Sequence, residues 1–361
     1  MLALLLPSGS RSSAQKPEEF KGSFQVITRF SGFQVTTQAG SKVILWTSPP
    51  MRSAKPWNEL VLSWNARTPG ASGCEFRSRA KTSGHWTPYY SLGRWAEQTN
   101  AFLRQSVAGQ KDADGEVLTD VLRLSQAAQE FQVRAELTPD NDGTTPTLRA
   151  LGVSLINTAE ASTPRPADSS VWGGRLEVPQ SSQHAHPEGK AWCSPTSLSM
   201  VLRYWSARLR APELDQEAPA TARAVFDPVW GGTGNWPFNT AYAGEFESLF
   251  AFVVRLRDLR DVEDLIARKI PVILSVDLNA LRERTRKQIE GHLVVAVGFT
   301  AKGDVWVNDP DTPHPPIPGR TVLRVYPREA VERAWTASHR TIYLVQPSTE
   351  PMPSLPADSA Q

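Results

Sequence analysis

Cys193 lies in the segment Ala191–Leu202, just ahead of a stretch in which Leu198, Val201, Leu202 and Trp205 recur at helical spacing. A thiol at a helix N-terminus feels the positive end of the helix dipole and faces backbone N–H groups with no carbonyl partner. Both favour thiolate over thiol. The same N–H groups could hold an oxyanion during acyl transfer. Pro195 fits near the first turn, where a missing N–H costs nothing. The plainer alternative is a buried cysteine packing as a small hydrophobe, the commoner fate of this residue. Local context leaves both readings open.

A thiolate nucleophile needs a base. His292 follows Gly291 and opens an apolar run, so its imidazole could face a cleft while Leu293 and Val295 build core. Taken alone it would be an ordinary surface or core histidine; Cys193 gives it weight. Asp309 ends the next strand-like run, Val305–Asp309. A hairpin between the two runs would bring Asp309 or Asn308 beside the imidazole, to fix its tautomer and stabilise imidazolium. The plain reading of Asn308, Asp309 and Pro310 is a turn. His184 and His186 have metal-ligand character but no third ligand nearby. Asp112, Asp114 and Glu116 read as a turn rather than a Ca²⁺ loop. Neither metal nor cofactor is expected.

The elements that must position these groups fall into two stretches. Residues 20–157 carry short alternating runs: Phe24–Thr28, Lys42–Trp46, Glu59–Trp64, Cys74–Arg79, Val117–Leu124, Glu130–Leu137 and Leu148–Leu155. Period-two patterning without helical runs predicts an all-β sandwich or jelly roll. Residues 158–170, rich in Thr, Ala, Ser and Pro, predict a linker. Residues 171–346 begin with a helix over Ser194–Arg210 and add a second over Asp261–Arg268. Strands follow over Pro271–Val276, His292–Phe299, Val305–Asp309 and Arg340–Val345, an α+β order. Residues 347–361 have the composition of a disordered tail.

A chain of 361 residues, 40% hydrophobic, can bury two cores. A net charge of +2 and the lack of a basic stripe argue against a nucleic-acid partner. Two cysteines, Cys74 and Cys193, make no disulfide framework, and a bridge between them would consume the nucleophile. No stretch reaches the roughly 18 apolar residues of a membrane span. Residues 1–19 read either as a frayed terminus or as a truncated secretory signal with a small-residue cleavage site near Ala14 and a misplaced start codon. The second reading puts the protein outside the cell or at its envelope.

Several segments, in order, resemble the double-glycine-leader (bacteriocin-processing) cysteine peptidases, and more closely their extracellular stand-alone relatives in the papain-like clan. They are Val178–Gln183, Trp192–Met200, Gly234–Ala241, Ile270–Val276, Gly291–Gly298 and Val307–Pro310. The resemblance covers most of residues 175–346. It implies a papain-like domain with Cys193 as nucleophile, His292 as general base then acid, and Asp309 as orienter. Gln183, with Gln180 as the lesser candidate, would help hold the oxyanion. Gly234, Asn235 and Trp236 would line the cleft for a peptide or protein substrate, their plainer reading being a surface loop. Ser194 departs from the family, which has Gly after the Cys; a side chain there could crowd the turn. Asn58–Asn65 and Tyr90–Trp95 look like the β-sandwich module that precedes such domains. There Trp64, Trp86 and Trp95 are either core, the commoner fate, or an aromatic face for glycan or cell-wall contact.

The leading expectation is therefore a cysteine peptidase working through a Cys193 thioester. A non-catalytic binding protein on a degenerate peptidase fold, supported chiefly by Ser194, is the first alternative. A transglutaminase-like acyl transferase is the second.

Overall fold

The computed structural model describes residues 17–99, 102–160, 163–286 and 288–353. The expected signal segment lies almost wholly outside the described residues, as does most of the expected tail.

The first half is all-β. Its strands join in one eleven-stranded sheet. Two long strands carry it: Met51–Arg67 pairs antiparallel with both Val121–Thr138 and Thr147–Ile156. Along Gly73–Thr82, Phe76, Ser78, Ala80 and Thr82 are buried and alternate with half-buried Glu75, Arg77, Arg79 and Lys81, which is what a pleated strand does with an alternating sequence. Trp64 stacks on Phe76 with ring centroids 4.3 Å apart, and Trp57 and Trp95 are also buried. Trp64 and Trp95 are thus core and form no exposed aromatic face; Trp86 lies partly covered, with the Arg79 guanidinium 4.6 Å from its ring. The Asp112 carboxylate accepts from the N–H groups of Asp114 and Gly115 and from the Tyr90 hydroxyl, which makes that acidic segment a turn.

One expected strand is a hairpin instead. The run Val117–Leu124 reverses at Thr119 and Asp120, so Gly115–Leu118 pairs back onto Val121–Thr138. Thr119 takes φ +60° there, and Asp120 N–H closes on Leu118 O at 2.7 Å. The turn lacks glycine and proline, so the alternation ran through it unmarked.

The second half is mixed. Its helices are α1 (Cys193–Leu209), α2 (Ala218–Val225), α3 (Trp236–Glu245), α4 (Leu259–Ala267), α5 (Leu278–Leu281) and α6 (Arg328–Thr336). Its seven-stranded sheet runs, in spatial order, Leu249–Arg255, Thr341–Pro347, Val272–Asp277, Gly291–Phe299, Val305–Asn308 and Leu323–Tyr326, with Gly174–Arg175 on the side of Gly291–Phe299. The expected helices and strands appear with ends displaced by a residue or two, the usual fraying of boundaries. Helix α3, expected as a cleft loop, starts where Asn235 caps it: the Asn235 carboxamide oxygen accepts from Phe238 N–H at 3.2 Å and Pro237 occupies the first turn.

The later part of the polar segment between the halves, residues 163–170, is pinned to the second half. Arg165 bonds both Asp258 and Asp261, and Asp168 N–H donates to Glu263 at 2.7 Å.

The two halves share one continuous hydrophobic core. Strand Leu249–Arg255 is an edge of the second sheet, and its outward backbone groups would be orphaned if left buried. Side chains of the first sheet answer them at alternate residues. Asn65 bonds both the N–H and the carbonyl of Ala251, Ser63 accepts from Val253 N–H, and Ser154 accepts from Arg255 N–H. That period of two explains why polar Ser63, Asn65 and Ser154 are fully buried within strands. Phe252 lies against Gly152, where a Cβ would come within 2.6 Å of the ring. The Glu59–Arg255 ion pair, both side chains 2% exposed or less, closes the interface. Helix α3 is gripped at both ends: Asp120 accepts from Trp236 N–H at its start, and Arg149 bonds the carbonyls of Gly244 and Phe246 at its end. The Arg149 charge suits the C-terminal end of the helix dipole, while burial raises Asp120 at the other end to about 7.

An interface of this kind predicts one cooperative unfolding unit. Calorimetry of the full chain should give a single transition, and residues 171–346 expressed alone should be insoluble or melt well below the full chain. Two separated transitions, or a soluble second half of undiminished stability, would contradict it.

Candidate active site

Helix α1 begins at Cys193, with Trp192 as its N-cap and no side-chain cap. Thr196 N–H makes the first turn's bond, to Trp192 O, and Pro195 has no N–H to offer. Ser194 N–H therefore remains available and points at the Cys193 sulfur, as does Leu293 N–H from the neighbouring strand. The Ser197 hydroxyl, one turn along α1, donates to Leu293 O at 3.0 Å. One residue of the histidine strand thus docks the helix and lines the thiol.

His292 is buried, 3% exposed, near the start of Gly291–Phe299. In the hairpin with Val305–Asn308, Val295 stands opposite Asn308. Continuing that register by one residue sets Asp309 across from Val294, and His292 is the next residue on the same face. His292 Nε2 meets Asp309 Oδ1 at 2.9 Å, which leaves Nδ1 unused by the carboxylate, and Cys193 is near enough to help raise the imidazole's pKa. Asn308, the other residue weighed for this place, turns its amide to Val178 O at 3.2 Å.

The electrostatics follow from this line of contacts. Burial pushes the Cys193 thiol up, but the hydrogen bond and charge of His292, with the two N–H groups, outweigh it and leave the thiol below its ordinary value. Burial likewise disfavours imidazolium, yet the bonds to Asp309 and Cys193 raise His292 to about 10. Asp309 is fully buried, which disfavours its charge, but His292 and Arg282 hold it well below the usual carboxylate range. The favoured state is a thiolate–imidazolium pair backed by an ionised carboxylate. Cys193 itself is half-buried and keeps access to solvent. Cys74 is a buried free thiol, pushed far up by desolvation, and inert by comparison.

Gln183 is buried in a short 3-10 turn, with its Nε2 donating to Lys190 O at 2.8 Å, three residues ahead of Cys193. Its second amide N–H remains for another acceptor. Gln180 instead accepts from Leu323 N–H on the edge strand Leu323–Tyr326. His184 meets Asp311 at 2.7 Å, and the His186 ring lies beside Trp192, so each histidine has its own partner.

Gly234, Asn235 and Trp236 behave differently from the cleft lining expected. Asn235 is fully buried and spends its side chain on the α3 cap and on Asp227. Trp236 packs against Val61, Val121 and Val253 between the two sheets. Gly234 lies under the Trp230 ring, where a Cβ would come within 2.8 Å. Their neighbour Thr233 reaches the nucleophile's segment, donating its hydroxyl to Ala191 O at 3.1 Å. These three residues frame the loop rather than present polar groups from it. The motif pattern missed Arg282 and Tyr326, both bonded to Asp309. Arg282 opens a basic run that reads as a solvated charge cluster, so nothing in the sequence marks it.

Ser194, the departure from the family pattern, does not face the thiol's side of the turn. It is fully buried, its hydroxyl 2.9 Å from the Tyr343 hydroxyl in the core.

Residues 175–343 match the model of the Peptidase_C39 like family, and residues 29–155 match that of the peptidase C39 N-terminal domain. The two matches, one for each half of the chain, support a C39 cysteine peptidase-like protein. Among solved structures, a crystal structure described as a candidate C39-like peptidase from Bacillus anthracis is similar at 15% identity and a TM-score of 0.36, covering 48% of this chain and 98% of that one. A comparison with curated proteins returns no match.

The Ser194–Tyr343 contact predicts that Ser194→Ala costs about 1–3 kcal/mol by stranding a buried hydroxyl. Thiol reactivity per folded molecule should stay within about twofold of the parent, since the side chain is turned away from the sulfur. Thermal melts and iodoacetamide labelling check both; slowed labelling with unchanged stability would reverse the assignment.

Proposed function

We propose that this chain is a cysteine peptidase that hydrolyses peptide bonds through a thioester on Cys193. The observation that carries the reading is a thiol at a helix N-terminus whose pKa is lowered by a buried imidazole, with that imidazole in turn bonded to a buried carboxylate at 2.9 Å. In this reading the Cys193 thiolate attacks the scissile carbonyl carbon. The His292 imidazolium gives its proton to the departing amine, the C–N bond breaks, and a thioester remains. The neutral imidazole then takes a proton from water as the oxygen attacks the thioester carbonyl; the C–S bond breaks, the acid leaves, and the thiolate–imidazolium pair is restored. Asp309 keeps the imidazole in one tautomer and stabilises its charged form. The Ser194 N–H and the spare N–H of Gln183 are the donors for the tetrahedral oxyanion. The first half serves as a sandwich-like body, made by bending the continuous sheet at the bulges of Val121–Thr138.

The alternative of a binding relic rested chiefly on Ser194, and the inward turn of that side chain weakens that support. A peptide or protein substrate follows from the family.

Four outcomes are expected. Cys193→Ala abolishes hydrolysis of a peptide library and labelling at this position. Asp309→Asn lowers turnover by about 10³–10⁴, the scale set by mis-orienting a catalytic imidazole. The pH profile is a bell: it rises through the depressed Cys193 pKa, below the roughly 8.5 of a free thiol, and falls as His292 loses its proton near 10. Iodoacetamide should label Cys193 at pH 6 about tenfold or more faster than an ordinary thiol. An active Cys193→Ala protein would dispose of the mechanism.

A further inference from the structure

The residues around Asp309 do more than complete a triad. Three consecutive residues ahead of the nucleophile hang on the turn that follows Asp309. Ser182 donates its hydroxyl to Thr312 O, Gln183 N–H donates to Pro310 O at 2.9 Å, and His184 Nε2 meets Asp311 Oδ1 at 2.7 Å. The carboxylate that orients the imidazole and the amide beside the nucleophile are therefore carried by one piece of backbone.

Arg282, at the C-terminal end of α5, ties that piece together. Its Nη2 bonds Asp309 Oδ2 at 2.6 Å and Asp311 O at 2.8 Å, and its Nη1 bonds Asp311 Oδ2 at 2.5 Å. The side chain is 11% exposed. A planar guanidinium reaches two carboxylates from two separate nitrogens in a fixed fork; an ammonium has its three donors on one nitrogen and does not reproduce that geometry. Tyr326 also donates to Asp309 Oδ2, at 2.7 Å, and Arg324 stands 3.8 Å from that oxygen without bonding it.

We propose that Arg282 is a positioning residue for the Cys193–His292 pair, bolting Asp309, Asp311 and the Gln183 turn into one rigid mount. The proposal rests on the peptidase reading of Cys193, His292 and Asp309.

Electrostatics and positioning predict opposite signs here. A cation beside Asp309 weakens the carboxylate's pull on the imidazolium proton. If Arg282 acted only through its charge, removing it would strengthen that pull and His292 would titrate at higher pH. If Arg282 positions Asp309, its loss lets the carboxylate swing, loosens the bond to Nε2 and makes His292 titrate lower. The other charged groups facing His292 and Asp309, namely Cys193, Asp311, Arg324 and Tyr326, are unchanged in the comparison.

The experiment is an NMR titration of the His292 imidazole in the full chain, read with iodoacetamide labelling of Cys193 at pH 6. Arg282→Met should lower the His292 titration by about one unit or more and slow labelling about tenfold. Added guanidinium ion should restore part of both, and Arg282→Lys should restore less than the native arginine. Asp311→Asn removes the second anchor at a partly exposed position and keeps the Arg282–Asp309 bond. It should shift both readouts in the same direction by a smaller amount, and it decides the matter if Arg282→Met fails to fold. An unchanged or raised His292 titration with wild-type labelling overturns the mount. Should His292→Ala label as fast as wild type, the peptidase reading itself falls; should it slow while the Arg282 and Asp311 variants do not, only the mount falls.

Discussion

An ionised carboxylate withdrawn from water is tolerable only when its lone pairs are answered, and Asp309 meets that condition with four donors. His292 and the Asp311 N–H serve Oδ1, while Arg282 and Tyr326 serve Oδ2. Every other feature of the candidate site follows from that arrangement. The carboxylate stays charged, so the buried imidazole can carry a proton. The protonated ring lies against the sulfur, so the thiol can give its own proton up despite desolvation. Remove the answering donors and burial would reverse each of these preferences in turn, neutralising first the acid, then the base, then the thiolate.

The sulfur needs a second source of stabilisation, and the fold supplies it through the docking of α1 on the histidine strand. Leu293 contributes its N–H to the thiol and its carbonyl to Ser197. Because helix and strand are joined one turn from the nucleophile, a shift of either would be felt at the sulfur. Ser194 shows the same economy: the residue that presents an N–H to the thiol sends its side chain the other way, into a hydroxyl pair with Tyr343. A glycine is not required at that position when the core offers a partner.

The first half of the chain enters this picture as scaffold. Asp120 and Arg149 hold the ends of α3, Phe238 of α3 packs against Trp64 and Trp95, and Thr233 just ahead of α3 bonds the carbonyl of Ala191. The all-β unit is therefore joined to the nucleophile's segment by way of α3 and Thr233. Its buried Ser63, Asn65 and Ser154 stand in for a missing neighbour strand, so separating the halves would expose apolar surface and strand backbone donors together.

Much of this was legible in local pattern. Alternation marked most strands, the spacing of Leu198, Val201, Leu202 and Trp205 marked α1, and a Cys–His–Asp order along the chain singled out three residues, of which His292 and Asp309 bond at 2.9 Å. Those signals survive because they are local: a period of two or 3.6 is enforced residue by residue whatever the partner. The hairpin at Thr119 and helix α3 escaped, the first for want of a turn residue and the second because tertiary contacts at both ends support a Trp- and Gly-rich start. Asn235 and Trp236 looked like cleft residues, and their real work is a cap and an interface. Arg282, Asp311 and Tyr326 could not be read at all, since charge runs and isolated tyrosines carry no period and gain meaning only from what folding sets beside them. Sequence alone determined which groups could react and which elements would carry them. Tertiary structure decided which carboxylate reached the imidazole, where Ser194 pointed and what held Asp309 ionised, because ion pairing and burial depend on distance in space, which chain order does not encode.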